Sequence, residues 1–172
     1  MENIRVMISE EDVNKRIAEM GTQISKDYAG KEVHLIAILK GSVFFACELA
    51  KRITVPVSLD FMQVSSYGDA TESSGIVRIK KDLDDTMENK EVIIVEDIID
   101  SGRSMKHLLE YLHAKNPKQV IVATLFHKPK AVVCQVPIAY KGIELENDFV
   151  VGRGLDYDGL GRNYPDLYIL NA

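Results

Sequence analysis

Apolar residues recur at two different spacings along the chain, and the switches between them mark its elements. Val13, Ile17, Met20 and Ile24 return every third or fourth position behind Ser9-Glu10-Glu11-Asp12, which reads as a capping box. This predicts a helix over 9–29, stopped by Gly30. Residues 33–39 (VHLIAIL) form a short, unbroken apolar run rich in branched side chains, ended by Lys40-Gly41. That is a buried strand, and Ser42 is placed to cap a second helix over the following FFACELAKR. Residues 57–67 alternate and predict a strand, 74–80 predict another, and Gly68 to Ser73 between them carry no large apolar side chain. A mobile hairpin-like loop is expected there. Residues 91–100 (EVIIVEDIID) open as a buried strand, 104–115 continue as a helix, and 119–126 return to a buried strand.

Buried strands alternating with helices predict an α/β fold: a central, mainly parallel sheet flanked by helices with right-handed crossovers. From Ile138 on, short strands and glycine-rich turns replace this rhythm. We expect one domain over 1–172, with a small hood subdomain made by the N-terminal segment and the region from about 138. The length supports this, because a chain of 172 residues that is 46% apolar buries about 70% of its unfolded surface without a metal or disulfide staple. Cys47 and Cys134 lie in apolar surroundings outside any CxxC or Cys/His cluster, so buried free thiols are expected.

No apolar run reaches the length of a membrane span, and the charges in MENIRVMISEEDVNKR interrupt any secretory leader. A soluble protein of the cytoplasm follows as the expectation. With a formal charge of −5 the chain has no general attraction to nucleic acid or anionic membrane, so neither is expected as a partner.

The chemistry concentrates at Glu96-Asp97-Ile98-Ile99-Asp100-Ser101-Gly102-Arg103-Ser104, where a strand gives way to a helix. Small residues at 101, 102 and 104 let the backbone turn around an anion at a helix N-terminus. Taken singly, Asp100 is an ordinary helix cap and Glu96-Asp97 a solvated strand end. Together, three carboxylates beside a phosphate cradle demand a ligand that offers more than phosphate, since like charges repel in a desolvated cleft. A ribose 5-phosphate meets the demand: the helix takes the phosphate, the carboxylates accept from the sugar hydroxyls, and magnesium with a pyrophosphate group balances the remaining charge.

VIIVEDIIDSGRSM closely resembles the phosphoribosyl pyrophosphate signature of the type I phosphoribosyltransferases. LKGS (39–42), SSYGD (65–69), FHKPK (126–130), DFVVG (148–152) and LDYDGLGR (155–162) occur in the order found in the hypoxanthine-guanine branch of that family. The resemblance implies the type I fold and transfer of a phosphoribosyl group from phosphoribosyl pyrophosphate to a 6-oxopurine. It also implies Mg²⁺ as cofactor and a homo-oligomer, dimer or tetramer. By the resemblance, Glu96 and Asp97 hold the ribose hydroxyls, Asp100, Ser101, Gly102, Arg103 and Ser104 the 5-phosphate, and Asp100 also serves as general base. Lys40-Gly41 resembles the pyrophosphate loop, whose peptide bond is cis in many members, and Arg162 the pyrophosphate contact. Glu96, Asp97 and Asp156 would face the metal, with Asp156 also at the purine end. Lys128 would pair with the purine O6, the Val150 carbonyl with N1–H, and Phe149 would stack on the base; Ser66 and Tyr67 would open the lid.

Several motifs point elsewhere and fail. Gly152-Arg153-Gly154 lacks the third glycine and the following helix of a dinucleotide site, Asp156 to Gly161 lacks the later ligands of a calcium loop, and no P-loop is present. The histidines at 34, 107, 113 and 127 show no metal-ligand spacing and read as ordinary surface or core residues. Arg153 departs from the aromatic residue common at its position in the family, and Gly159-Leu160-Gly161 is smaller than the usual stretch. A regulator on the same fold that binds RNA would need a basic face, whereas the 21 Lys and Arg are spread without a cluster.

Overall fold

The computed structural model describes residues 4–66 and 77–170. After β1 (Ile4–Ile8), helix α1 spans Glu10–Asp27, capped by Ser9, whose Oγ accepts from the Asp12 N–H at 3.2 Å. Glu10, Glu11 and Asp12 sit in its first turn, where negative charge suits the helix dipole. β2 (Val33–Leu39) and α2 (Ser42–Ala50) follow. Ser42 is not the cap of α2: Gly41 takes that place without a side-chain bond, and the Ser42 Oγ donates back to the Ile38 carbonyl at 2.5 Å. The turn after β2 is too tight for Ser42 to stand outside the helix.

β3 (Val57–Ser66), β4 (Val77–Lys81), β5 (Glu91–Ile99), α3 (Arg103–His113), β6 (Gln119–His127) and β7 (Ile138–Glu144) complete a six-stranded sheet in the order β4-β3-β2-β5-β6-β7. All neighbours run parallel except the edge strand β4. α1 and α2 cover one face, over a core that includes Ile17, Ile24, Leu35, Phe45, Leu49 and Ile93. α3 covers the other with Leu108 and Leu112 against Ile36, Ile94 and Val122. Each such fully buried side chain contributes about 1.5–3 kcal/mol. A right-handed β–α–β winding on this pattern brings the C-terminal ends of β2, β5 and β6 side by side, the place where an open α/β sheet binds ligands.

A second, three-stranded sheet is formed by β1, β9 (Leu167–Leu170) and β8 (Val150–Val151), in the order β1-β9-β8. The expected hood boundary near 138 is therefore corrected. Ile138–Glu144 belongs to the main sheet, paired in parallel with β6 from Val122↔Ile138 to His127↔Glu144. Its mixed burial is that of an edge strand, and a pattern of alternation does not say which sheet a strand joins. The thiols also differ from expectation: both are free, but Cys47 is exposed and Cys134 half-buried, because α2 turns Cys47 away from the core. Among the described residues no helix is long and apolar enough to cross a membrane.

Candidate active site

Three loops meet at the C-terminal ends of β2, β5 and β6. After β5, Gly102 adopts a left-handed conformation (φ 79°), and a side chain on it would meet the Cys134 carbonyl at 2.3 Å. Only glycine fits there. The Ser101 carbonyl accepts from the N–H groups of Val133 and Cys134, both at 2.9 Å, which ties the turn to the segment after β6. α3 then begins at Arg103, whose N–H donates to the Ser101 Oγ at 3.4 Å. Glu96, Asp100, Ser101, Gly102 and Ser104 line a cavity of about 160 Å³ at this turn. The N-terminus of α3 at its mouth turns the positive end of the helix dipole toward an anion.

Glu96 and Asp97 lie on the strand leading to this turn. The Asp97 N–H donates to the Glu96 Oε1 at 3.1 Å, and Asp97 itself is buried. Burial first, then the charge of Asp97, pushes the Glu96 carboxyl well above its usual range. Burial likewise raises Asp97, against the pull of its hydrogen bonds and of the Arg162 guanidinium. Two acids held this close, with the Arg162 guanidinium as partial counter-charge, are short of positive charge, and oxygen-only donors of this kind suit Mg²⁺.

The loop after β2 lies directly against Asp97. A side chain on Gly41 would fall 1.7 Å from the Asp97 Oδ2, and one on Gly154 would fall 2.0 Å from the Gly41 carbonyl oxygen. The cis peptide bond lies between Leu39 and Lys40, one position before the Lys40-Gly41 bond that the resemblance pointed to. Lys40 is exposed beside it. Arg162 donates to the Gly154 carbonyl at 2.7 Å and pairs with Asp156 at 2.5 Å, while the other Asp156 oxygen accepts from the Gly159 N–H at 2.8 Å. Asp156 is thus held by Arg162 and its own turn, and Glu96, Asp97 and Asp156 are not gathered as one cluster of candidate ligand atoms; among the described residues the one such group is His34, Asp60 and Asp85.

Lys128 follows β6, and its N–H donates to the Ile99 carbonyl at 3.0 Å. This bond carries its ammonium back toward the cradle, where it stands 3.8 Å from the Asp100 Oδ2. The lysine side chain is 12% exposed and that of Asp100 57%. Phe149 is 53% exposed and meets Tyr157, 48% exposed, edge-on at 5.6 Å between ring centres. Val150 is buried in β8. Arg153 is turned elsewhere: it adopts φ 54° and donates to Asn14 Oδ1 at 2.8 Å and to the Pro165 carbonyl at 3.2 Å, fastening the hood to α1. Ser66 ends β3, while Tyr67 and the predicted lid lie outside the described residues.

Two residues of the site were missed in the sequence. Gly154 was visible only as part of a failed dinucleotide motif, and its packing on Gly41 joins segments far apart in the chain. Tyr157 stood in plain view beside Asp156, but nothing in the spacing said that its edge would meet Phe149.

Residues 9–158 match the family model of the phosphoribosyl transferase domain. The chain belongs to that family. Within it, the chain is 48% identical over 168 residues to a hypoxanthine-guanine phosphoribosyltransferase of Mycobacterium tuberculosis, covering 94% of this chain and 82% of that protein. It is 43% identical to one of Streptococcus thermophilus, over 96% of this chain and 92% of that protein. Among solved structures, a hypoxanthine phosphoribosyltransferase of Staphylococcus aureus superposes with a TM-score of 0.94 at 42% identity, covering 97% of this chain and 91% of that one. A hypoxanthine-guanine phosphoribosyltransferase of Bacillus anthracis gives 0.95 at 37% identity, over 99% and 100%. The phosphoribosyl transferase fold therefore spans both the main sheet and the hood.

Proposed function

We propose that this member of the phosphoribosyl transferase family moves the 5-phosphoribosyl group of phosphoribosyl pyrophosphate to N9 of hypoxanthine or guanine, giving IMP or GMP and releasing pyrophosphate. The observation that carries the reading is Lys128 with its ammonium 3.8 Å from Asp100 at the mouth of the phosphate cradle. An ammonium there meets the C6 oxygen of a 6-oxopurine, and the backbone carbonyl at Val150 accepts from N1–H. Adenine inverts both positions and would leave buried polar groups unpaired, a mismatch that discriminates by about 10⁴–10⁵. The exposed faces of Phe149 and Tyr157 give the base a surface to stack on.

In this reading the turn from Asp100 to Ser104 holds the 5-phosphate and Glu96 and Asp97 accept from the ribose hydroxyls. Lys40, Gly41 and Arg162 face the pyrophosphate, and Asp100 takes the proton from the purine as the bond at N9 forms. The lid expected from the polar, small-residue sequence Gly68 to Ser74, opened by Ser66 and Tyr67, would serve to keep water from the electron-deficient sugar carbon. Mg²⁺ would be held by Glu96 and Asp97, with Asp156 near it, and when bound it neutralises charge on the leaving pyrophosphate. The protein would act in the cytoplasm as a homo-oligomer, dimer or tetramer, without nucleic acid or membrane as partner.

The test is pyrophosphate release from phosphoribosyl pyrophosphate and Mg²⁺ with hypoxanthine, guanine, xanthine, adenine and uracil in parallel. Turnover confined to 6-oxopurines is the expected result. Silence with all five, while phosphoribosyl pyrophosphate still binds, would overturn the enzyme in favour of a nucleotide-sensing regulator.

A further inference from the structure

At the opposite end of the sheet from the cradle, β2 and β3 pair in parallel with His34 beside Ser58 and Ile36 beside Asp60. Alternation along β3 puts Ser58 and Asp60 on one face. A ring nitrogen of His34 and one carboxylate oxygen each of Asp60 and Asp85 lie within 4.8 Å of one another. His34 is only 2% exposed, and its Nε2 has no hydrogen-bond partner. A buried polar atom left so is costly, and natural sites supply it with a partner. We infer that His34, Asp60 and Asp85 form a binding site for a divalent cation of the zinc type, separate from the phosphoribosyl site.

The surroundings are arranged as such a ligand set requires. The His34 Nδ1 lies 2.8 Å from the Ser58 Oγ. With the Nδ1 proton given to that hydroxyl, the Nε2 lone pair is left for a metal, and the ring is fixed in orientation by its second nitrogen. The Asp60 carboxylate accepts from Phe61, Asp84 and Asp85 N–H groups, three of about four lone-pair positions, so it is anchored and still has one to give. Asp85 is exposed and closes the set from the loop that leads into β5. An imidazole with two carboxylates favours zinc or its first-row neighbours over Mg²⁺ and Ca²⁺, which prefer oxygen alone. Ligands of a tetrahedral zinc stand about 3.4 Å apart, so the three atoms, within 4.8 Å of one another here, would draw together around a bound ion. His34 lines a cavity of about 410 Å³ whose charged residues are Lys31, Glu32, Lys90, Glu91 and Lys118. Lys90, with Lys31 and Lys118 on the same cavity and Lys81 near Asp60, opposes a cation, while Asp60, Asp85, Glu32 and Glu91 favour one. A bound cation would pin the segment around Asp85 to the start of the central strands.

Zinc retention by equilibrium dialysis, with excess Mg²⁺ to occupy oxygen-only sites, tests this on the full chain. The ring nitrogens of His34 are followed in parallel by NMR. The wild type should retain zinc at this site with a shift of the His34 ring signals. Asp85→Asn, on an exposed residue that folding does not need, and His34→Gln should each bind at least about tenfold more weakly. Glu96→Gln should retain zinc as the wild type does. Equal retention by wild type and Asp85→Asn, or His34 signals that ignore zinc, would overturn the inference.

Discussion

Glu91 opens β5 and Glu96 stands in its second half, toward the candidate site, and their surroundings treat them in opposite ways. Glu91 is buried between the ammonium groups of Lys118 and Lys31, at 3.0 and 3.2 Å, and the Lys118 bond above all holds its carboxyl below the usual value. Glu96 faces Asp97 instead, and burial together with that neighbour raises it. The same end as Glu91 also compensates Asp60. Burial pushes that carboxyl up, but the N–H groups of Asp85, Phe61 and Asp84 and the charge of Lys81 outweigh it and hold it low. At one end the buried carboxylates are compensated by lysines and N–H groups of the protein, although His34 Nε2 there is left without a partner; at the other, burial keeps Glu96 and Asp97 raised, and the Asp97 charge raises Glu96 further. Binding sites and stability make opposite demands on buried charge, and here a single strand separates them.

The comparison breaks most visibly at the cradle. Asp100→Asn should lower kcat by about 10²–10⁴ with little change in folding, since the residue is exposed, and steady-state kinetics beside a thermal melt checks both. Lys128→Ala comes next: losing a charged hydrogen bond should raise the KM for 6-oxopurine by about 10–100-fold while phosphoribosyl pyrophosphate binding holds. An equal loss for both ligands would refute a base-reading role.

At the other end, Glu91→Gln should cost about 1 kcal/mol, or about 2–4 °C in Tm, because its lysine partners are half-exposed and rehydrate. Its depressed folded pKa makes the stabilisation fully present above the unfolded value near 4.5 and lost as pH falls through the lower folded value. An acid melt of Glu91→Gln should therefore lose that part of the wild-type slope. Glu96 has the opposite sign. Its raised folded pKa means that stability without ligand falls as pH rises from the unfolded value toward the folded one. Glu96→Gln should raise Tm by about 2–4 °C near neutrality while impairing turnover. A lower Tm in that variant would show that Glu96 is structurally satisfied after all.

Most elements were legible because each carries one period along its length: 3.6 in α1, an unbroken apolar run in β2 and β5. The cradle was legible for the same reason as the helix starts, since small residues and a carboxylate beside a strand end are a local signal. The sheet membership of Ile138–Glu144 was not, because an edge strand with mixed burial has the same pattern wherever it pairs. Nor was the true cap of α2, where Ser42 bonds backward to Ile38 rather than forward along the helix.

The sequence by itself determined the alternation of strand and helix, the tight turn from Asp100 to Ser104 and the identity of the residues gathered at the ends of β2, β5 and β6, because these follow from spacing within one segment. Tertiary structure alone decided the contacts between segments distant in the chain. Gly154 closes on Gly41, Arg162 pairs with Asp156, Arg153 reaches Asn14 on α1, and His34 meets Asp60 and Asp85. No spacing rule reaches such contacts, since they depend on how strands pair and which way each side chain then faces.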